Sequence, residues 1–172
     1  MSEVVVALCM EGVGHLHCML PVVEGLHRRG CEVTVMTKEE FAPEVRDAGA
    51  HFVDLYDGCP LDAADAESVP VPSRFVTFAA AYADTLTARV NALAPSLVLY
   101  DTFTVVAPMI ARALGVPSVN VSANHAAVPE RVIAALEIDD RVAISDACRR
   151  AVRRLREEYG IASASPFSTW TT

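Results

Sequence analysis

The chain has 172 residues, 52% of them hydrophobic, so it can bury one sizeable core and is expected to form one domain. A formal net charge of -8 argues against a nucleic-acid partner, because binding a polyanion requires a basic face. The five cysteines show no CxxC spacing, which indicates reduced thiols in a cytoplasmic protein and no metal site. The apolar amino terminus is interrupted by Glu3, Glu11, His15 and His17, so we expect neither a signal peptide nor a membrane span.

The first predicted unit is a strand followed at once by a helix. Residues 4–8 form a continuous, β-branched run, which is typical of a strand buried on both faces of a parallel sheet. A turn containing Gly12 and Gly14 follows, and apolar residues then recur at helical spacing as far as the stop at Gly30. His15 therefore stands where this helix begins, and the two glycines let the backbone pass close to a bound molecule.

The rest of the chain alternates strand and helix patterns. Further strands are predicted at 32–37, 51–55, 97–100 and 117–121, and helices at 39–47, 73–95, 105–114, 128–136 and 141–159. Residues 56–72 break the alternation with Gly58, three prolines and the acids Asp57, Asp62, Asp65 and Glu67, so we expect a mobile acidic loop with a functional role. The arginine cluster near residue 150 indicates a solvated helix face.

Five such units predict an α/β fold, a doubly wound, Rossmann-like parallel sheet with helices on both sides and strand order 3-2-1-4-5. In that order strands 1 and 4 are neighbours at the switch point, where ligands bind beyond the carboxyl ends. His15 follows strand 1 and Asp101 follows strand 4. The carboxylate could hold the imidazole in one tautomer and leave the other nitrogen as a general base, so the sequence predicts a proton-abstracting pair.

These residues also have plainer interpretations. A histidine at a helix start often caps or packs, and an aspartate at a strand end often caps the next helix. The aromatic edge of the long helix predicted at 73–95, at Phe75, Phe78 and Tyr82, either packs on the sheet or faces a ligand.

Two separated stretches resemble a known family. GVGHLHCMLPVVEGLHRRGCEVTVMT and LVLYDTFTVVAPMIARALGVPSV resemble the amino-terminal part of GT-B glycosyltransferases of the UDP-glycosyltransferase superfamily, especially the bacterial macrolide and polyketide branch. The resemblance runs from the first strand to about the fifth. It implies that residues 1–172 are the amino-terminal acceptor-binding domain and that the carboxy-terminal nucleotide-sugar-binding domain is absent from this chain. His17-Cys18 departs from the Asn-Pro of many relatives.

The resemblance also implies a chemistry, inverting transfer of a sugar to a hydroxyl of a hydrophobic natural product. His15 would be the general base and Asp101 would orient it. The nucleotide-sugar donor would be a co-substrate bound mainly by the missing domain, with no other cofactor and no metal, and this chain would bind acceptor without turnover. Candidate acceptor-binding residues, besides the acidic loop, are Gly14, Phe75, Phe78, Tyr82, Asn124 and His125.

Two alternatives stay open at this point. Gly12-Val13-Gly14 begins a GxGxxG fingerprint and Glu39 lies where a ribose-binding acid belongs, which would indicate an NAD(P)-binding oxidoreductase domain, but His17 replaces the third glycine. The other alternative is a non-catalytic homologue that activates a partner enzyme. The His15 and Asp101 pair argues against it, because a scaffold needs no base.

Overall fold

Five parallel strands form one sheet in the order β3-β2-β1-β4-β5, which confirms the predicted order. The computed structural model describes residues 2–123 and 138–167. The strands are β1 (Val4–Leu8), β2 (Glu32–Thr37), β3 (His51–Asp54), β4 (Leu97–Asp101) and β5 (Ser118–Val121). The helices are α1 (Val13–Arg28), α2 (Ala42–Asp47, after a 3-10 turn at Glu39–Phe41), α3 (Leu61–Ala64), α4 (Val71–Asn91), α5 (Val106–Leu114) and α6 (Asp146–Glu157).

The β1 strand is buried on both faces because alternate side chains enter two different cores. Val6 and Leu8 pack in the core formed with α4, α5 and α6. Val5 and Ala7 pack on the opposite side, in the core formed with α1 and α2. The continuous apolar run of β1 therefore reflects helices on both sides of the sheet, as predicted.

The register of β1 and β4 determines which residues meet at the carboxyl edge of the sheet. Leu8 pairs with Tyr100, so the turn after β1 and the end of β4 lie side by side. Asp101 is the last residue of β4, and α1 begins at Val13 just beyond β1. The sheet thus delivers residues far apart in sequence to one crevice at its carboxyl edge.

Part of the predicted acidic loop is folded. Residues Leu61–Ala64 form α3, and Asp65 is buried, so the expectation of a loop throughout 56–72 is wrong. The Asp65 carboxylate accepts hydrogen bonds from the hydroxyls of Ser68 at 2.6 Å, Thr77 at 3.0 Å and Ser145 at 3.0 Å. These bonds tie the segment to α4 and to the start of α6.

Several helix limits differ from the sequence prediction for local reasons. The α4 helix begins at Val71, since prolines at the N-cap and in the first turn fit a helix start, and it ends at Asn91 rather than 95. The α6 helix begins at Asp146 rather than 141, because the Ser145 hydroxyl caps it by accepting the Cys148 N–H at 3.0 Å. The helix predicted at 128–136 lies outside the described residues. In the part of the chain that the structure describes, no helix is long and apolar enough to cross a membrane.

Candidate functional site

The structure brings His15 and Asp101 together. His15 lies in the first turn of α1 and Asp101 ends β4. The Nδ1 atom of His15 is 3.0 Å from Oδ2 of Asp101. The two residues therefore meet at the switch point of the sheet, where the sequence predicted a pair.

The Asp101 carboxylate is fully buried and held by several donors. Its Oδ1 accepts the Met10 N–H at 3.0 Å and contacts the Thr104 hydroxyl. Its Oδ2 accepts the Phe103 N–H at 2.9 Å. Because a buried carboxylate is stable where hydrogen bonds replace its hydration, these donors fix Asp101 in one orientation toward His15.

Thr104 supports this arrangement and was missed by the sequence analysis. It is fully buried, and besides its contact with Asp101 its hydroxyl lies 3.3 Å from the Leu8 carbonyl oxygen and 3.2 Å from the Met10 nitrogen. One side chain thus joins the ends of β1 and β4. The available signal was a threonine three residues after the aspartate, a spacing at which a hydroxyl can reach a carboxylate across a turn.

The His15 imidazole is anchored on one side and accessible on another. Its Nδ1 atom is buried although 14% of the side chain is exposed. The Nδ1–H bond does not point at Oδ2 of Asp101, so the short distance between Nδ1 and Oδ2 is not yet a well-aligned hydrogen bond. Such bonds commonly tighten when substrate binds. With Asp101 beside Nδ1, the Nε2 atom is the nitrogen left for exchanging a proton with a substrate.

The capping interpretations of the pair are wrong. The N-cap of α1 is Gly12 and no side chain caps that helix end. The N-cap of α5 is Val105, again with no side-chain cap, and Asp101 instead accepts the N–H of Phe103 within the turn before α5. His15 and Asp101 therefore contact each other rather than close helix ends.

The two glycines of the turn have different surroundings. A Cβ at Gly12 would lie 3.1 Å from Cδ2 of His15, so the missing side chain leaves room for the imidazole. A Cβ at Gly14 would meet nothing within 4 Å, and Gly14 is exposed. Gly12 thus accommodates the imidazole, whereas Gly14 adjoins open space.

The aromatic acceptor candidates are mostly core residues. Phe75 is 4% exposed and Phe78 is 1% exposed, so this edge of α4 packs on the sheet and Phe78 does not line a groove. Tyr82 is half-buried, stacks edge-on against Phe78 and donates to the Pro60 carbonyl at 3.3 Å. Asn124 and His125 lie outside the described residues.

Two clefts are formed by the described residues, and neither is lined by His15 or Asp101. One, of about 640 Å³, lies between α5 and the chain after α6. The other, of about 720 Å³, lies beyond the ends of β1, β2 and β3 and includes Glu11, Lys38 and Tyr56. The Tyr56 hydroxyl accepts the Glu11 N–H at 3.3 Å, so this cleft borders the turn that carries His15.

The neighbouring Cys9 is not an alternative nucleophile, and the described residues show no cluster that could hold a metal ion. Burial, with a contribution from the Asp101 charge, raises the pKa of the Cys9 thiol far above its ordinary value, so Cys9 stays protonated. Within residues 2–123 and 138–167, no group of three His, Cys, Asp or Glu side chains is arranged to hold a metal ion. The expectation of no metal stays a prediction.

Comparison with known proteins identifies the fold. No protein-family model and no curated protein matches the sequence. Among solved structures, the chain is similar to the glycosyltransferase of kitacinnamycin, with 21% identity and a TM-score of 0.68 over 95% of this chain and 41% of that one. It is similar to CalG4, the calicheamicin glycosyltransferase, with 23% identity and a TM-score of 0.71 over 95% of this chain and 43% of that one.

A third similar structure is the glycosyltransferase SsfS6 of Streptomyces sp. SF2575, complexed with thymidine diphosphate. It is 18% identical, with a TM-score of 0.62 over 98% of this chain and 47% of that one. At these identities the similarity shows the fold alone, a Rossmann-like α/β fold that these glycosyltransferases share over part of their length. The chain spans less than half the length of these structures.

Proposed function

We propose that this chain is the acceptor-binding half of an inverting glycosyltransferase, with His15 as the general base and Asp101 as the residue that orients it. The observation that carries the proposal is the 3.0 Å approach of His15 Nδ1 to the fully buried Asp101 carboxylate, at the carboxyl ends of β1 and β4. The fold shared with glycosyltransferases supports it.

The proposed chemistry is a single displacement. An acceptor hydroxyl oxygen attacks the anomeric carbon of the nucleotide-sugar and gives its proton to Nε2 of His15. The bond between that carbon and the diphosphate oxygen breaks, and the diphosphate leaves with the electron pair. Asp101 stabilises the resulting imidazolium and keeps Nδ1 protonated throughout, so that Nε2 faces the acceptor.

The proposed acceptor is a hydrophobic, hydroxylated small molecule of macrolide or polyketide type. Two of the similar structures are named for kitacinnamycin and calicheamicin, which supports testing small-molecule acceptors. The open space at Gly14 lets such a molecule approach the backbone one residue from the base. Asn124 and His125 remain proposed contacts, whereas Phe78 is too deeply buried to be one.

The proposed donor is a nucleotide-sugar bound mainly by a second domain. The similar structures are more than twice as long as this chain, and SsfS6 is complexed with thymidine diphosphate. We therefore expect the 172 residues to bind acceptor without turnover. Sugar transfer by the isolated chain would contradict this half-enzyme interpretation.

The dinucleotide-binding alternative has less support. His17, which occupies the third position of the glycine fingerprint, is an exposed residue of α1. The turn that would hold a pyrophosphate instead accommodates the His15 imidazole against Gly12. Tight binding of NAD or NADP to the chain would favour this alternative.

The test compares two histidines in the full-length protein. Transfer from UDP-glucose or TDP-glucose to a panel of macrolide and polyketide aglycones is followed by mass spectrometry. We expect His15→Gln to lower the rate by about 10²- to 10⁴-fold, because it removes the proton acceptor. His17→Gln is the matched control on the exposed side of the same turn and should retain activity. Equal activity of His15→Gln and the wild type would refute the assignment.

A further inference from the structure

Phe103 contacts both members of the His15 and Asp101 pair. Its ring centroid lies 4.4 Å from that of the imidazole, with the two planes inclined by 34°. Its backbone N–H donates to Oδ2 of Asp101 at 2.9 Å. The main chain of this residue therefore holds the carboxylate while its side chain covers the imidazole.

The Phe103 ring is itself supported by the core. Phe75, 4% exposed on α4, places its ring centroid 6.0 Å from that of Phe103. Phe103 is half-buried, so it has a supported side and an accessible side. The ring is thus held between the α4 core and the imidazole, which restricts its movement.

The imidazole is confined by three different groups. Asp101 lies beside Nδ1, the bare Cα of Gly12 lies beside Cδ2, and the Phe103 ring lies against the imidazole plane. Since Nδ1 is buried, the exposed 14% of the side chain belongs to its other atoms. Without the aromatic ring, a carboxylate at one nitrogen would leave the imidazole free to tilt about that contact.

We propose that Phe103 is a positioning residue for the proton-accepting His15. Its ring sets the tilt of the imidazole so that Nε2 faces the crevice, and its π face stabilises the imidazolium that forms when the acceptor proton is taken, at a separation within the range of cation–π contacts. The inference rests on the proposed function for its catalytic consequence. The placement of the ring against His15 can be tested without it.

The kinetic test uses the full-length protein with Phe103→Leu and Phe103→Tyr. Leucine removes the ring but keeps the backbone N–H that holds Asp101. We expect kcat to fall about 3- to 10-fold with little change in the acceptor KM, because a lost cation–π contact costs a factor of a few and misorientation adds to it. Tyrosine should restore kcat. Phe52→Leu, which removes a half-buried ring from β3, is the matched control and should leave kcat unchanged.

Two kinetic results would overturn the proposal. If Phe103→Leu raised the acceptor KM with kcat unchanged, Phe103 would contact acceptor instead of positioning the base. If leucine and tyrosine gave the same kcat, the ring would have no role beyond filling space.

A spectroscopic test separates this inference from the proposed function. In NMR spectra of the 172-residue chain, the His15 ring protons should show contacts to the Phe103 ring and move downfield in Phe103→Leu, as the ring-current shielding is lost. Unchanged His15 shifts would overturn the proposal even if sugar transfer were found. If the full-length wild-type protein transferred no sugar while the shifts of the 172-residue chain moved as expected, the proposed function would fail and the placement of the imidazole by Phe103 would stand.

Discussion

Replacing Asp101 by asparagine should destabilise the chain strongly despite the nearly identical shape. The carboxylate accepts the N–H groups of Met10 and Phe103, one on each oxygen, and contacts the Thr104 hydroxyl. An amide has one oxygen, so either orientation turns its NH₂ group toward one of these buried N–H donors. Losing a hydrogen bond to a charged acceptor and leaving a buried donor unpaired should lower the free energy of unfolding by about 2–4 kcal/mol.

Urea unfolding of the 172-residue chain, followed by circular dichroism, measures this change. Asp84→Asn is the matched control, because Asp84 is 83% exposed and its ion pair with Arg154 spans 3.8 Å. We expect the control to change the free energy of unfolding by less than about 0.5 kcal/mol. If Asp101→Asn lowered the free energy of unfolding by no more than the control, the hydrogen-bond network around Asp101 would not hold the site as described.

Three further predictions concern glycines and a buried acid. Gly14→Ala should raise the free energy of unfolding by up to about 1 kcal/mol, because the alanine Cβ would meet open space in a helix. The same methyl group should raise the acceptor KM of the full-length protein, because it fills the space through which acceptor is proposed to approach. Gly25→Ala, a control later in α1, should also stabilise the chain but leave the acceptor KM unchanged. Gly12→Ala should lower kcat because the new methyl group displaces the His15 ring. Asp65→Asn should lower the free energy of unfolding by about 2 kcal/mol near neutral pH, measured by urea titration, and by less in acid.

The direction in which the Asp65→Asn effect on stability changes with pH follows from the pKa of the Asp65 carboxyl group. Burial raises that pKa, but hydrogen bonds from the Ser68 hydroxyl and from the N–H groups of Ser68 and Glu67 outweigh burial and hold it below its ordinary value of 3.8. The stabilisation by the Asp65 carboxylate is therefore fully present above pH 3.8 and is lost as the pH falls through the lowered pKa. This reasoning would be contradicted if the difference in free energy of unfolding between wild type and Asp65→Asn grew on acidification.

Each glycine prediction has its own contrary outcome. Equal acceptor KM values for Gly14→Ala and Gly25→Ala would mean that acceptor does not approach Gly14. A wild-type kcat for Gly12→Ala would mean that the imidazole can shift without harm.

The sheet was predictable because its signals are local. The run at 4–8 is apolar at consecutive positions, and such a run with a helix directly after it indicates a strand covered on both sides. The meeting of His15 and Asp101 followed from strand order, since parallel strands adjacent at a switch point end at the same crevice.

What escaped prediction depends on side-chain direction and tertiary contacts. The sequence left open whether Phe78 packs on the sheet or faces a ligand, because the aromatic spacing does not specify how α4 is rotated about its axis; the structure shows that Phe78 is buried. Asp65 was assigned to a mobile loop because its partners Thr77 and Ser145 are distant in sequence. The contacts of Phe103 depend on the path of the turn after β4, which residue spacing does not specify. The contact of Thr104 had a signal in the sequence, its position three residues after Asp101.

The most direct test of the central claim is the tautomer of His15, measured by ¹⁵N NMR on the wild-type chain at about pH 8.5, where free imidazole side chains are neutral. If Asp101 holds the ring as described, Nδ1 carries the proton and Nε2 has a free lone pair, and Asp101→Asn disturbs this preference. A proton on Nε2 in the wild type would contradict the account, because the nitrogen facing the acceptor could not then accept its proton.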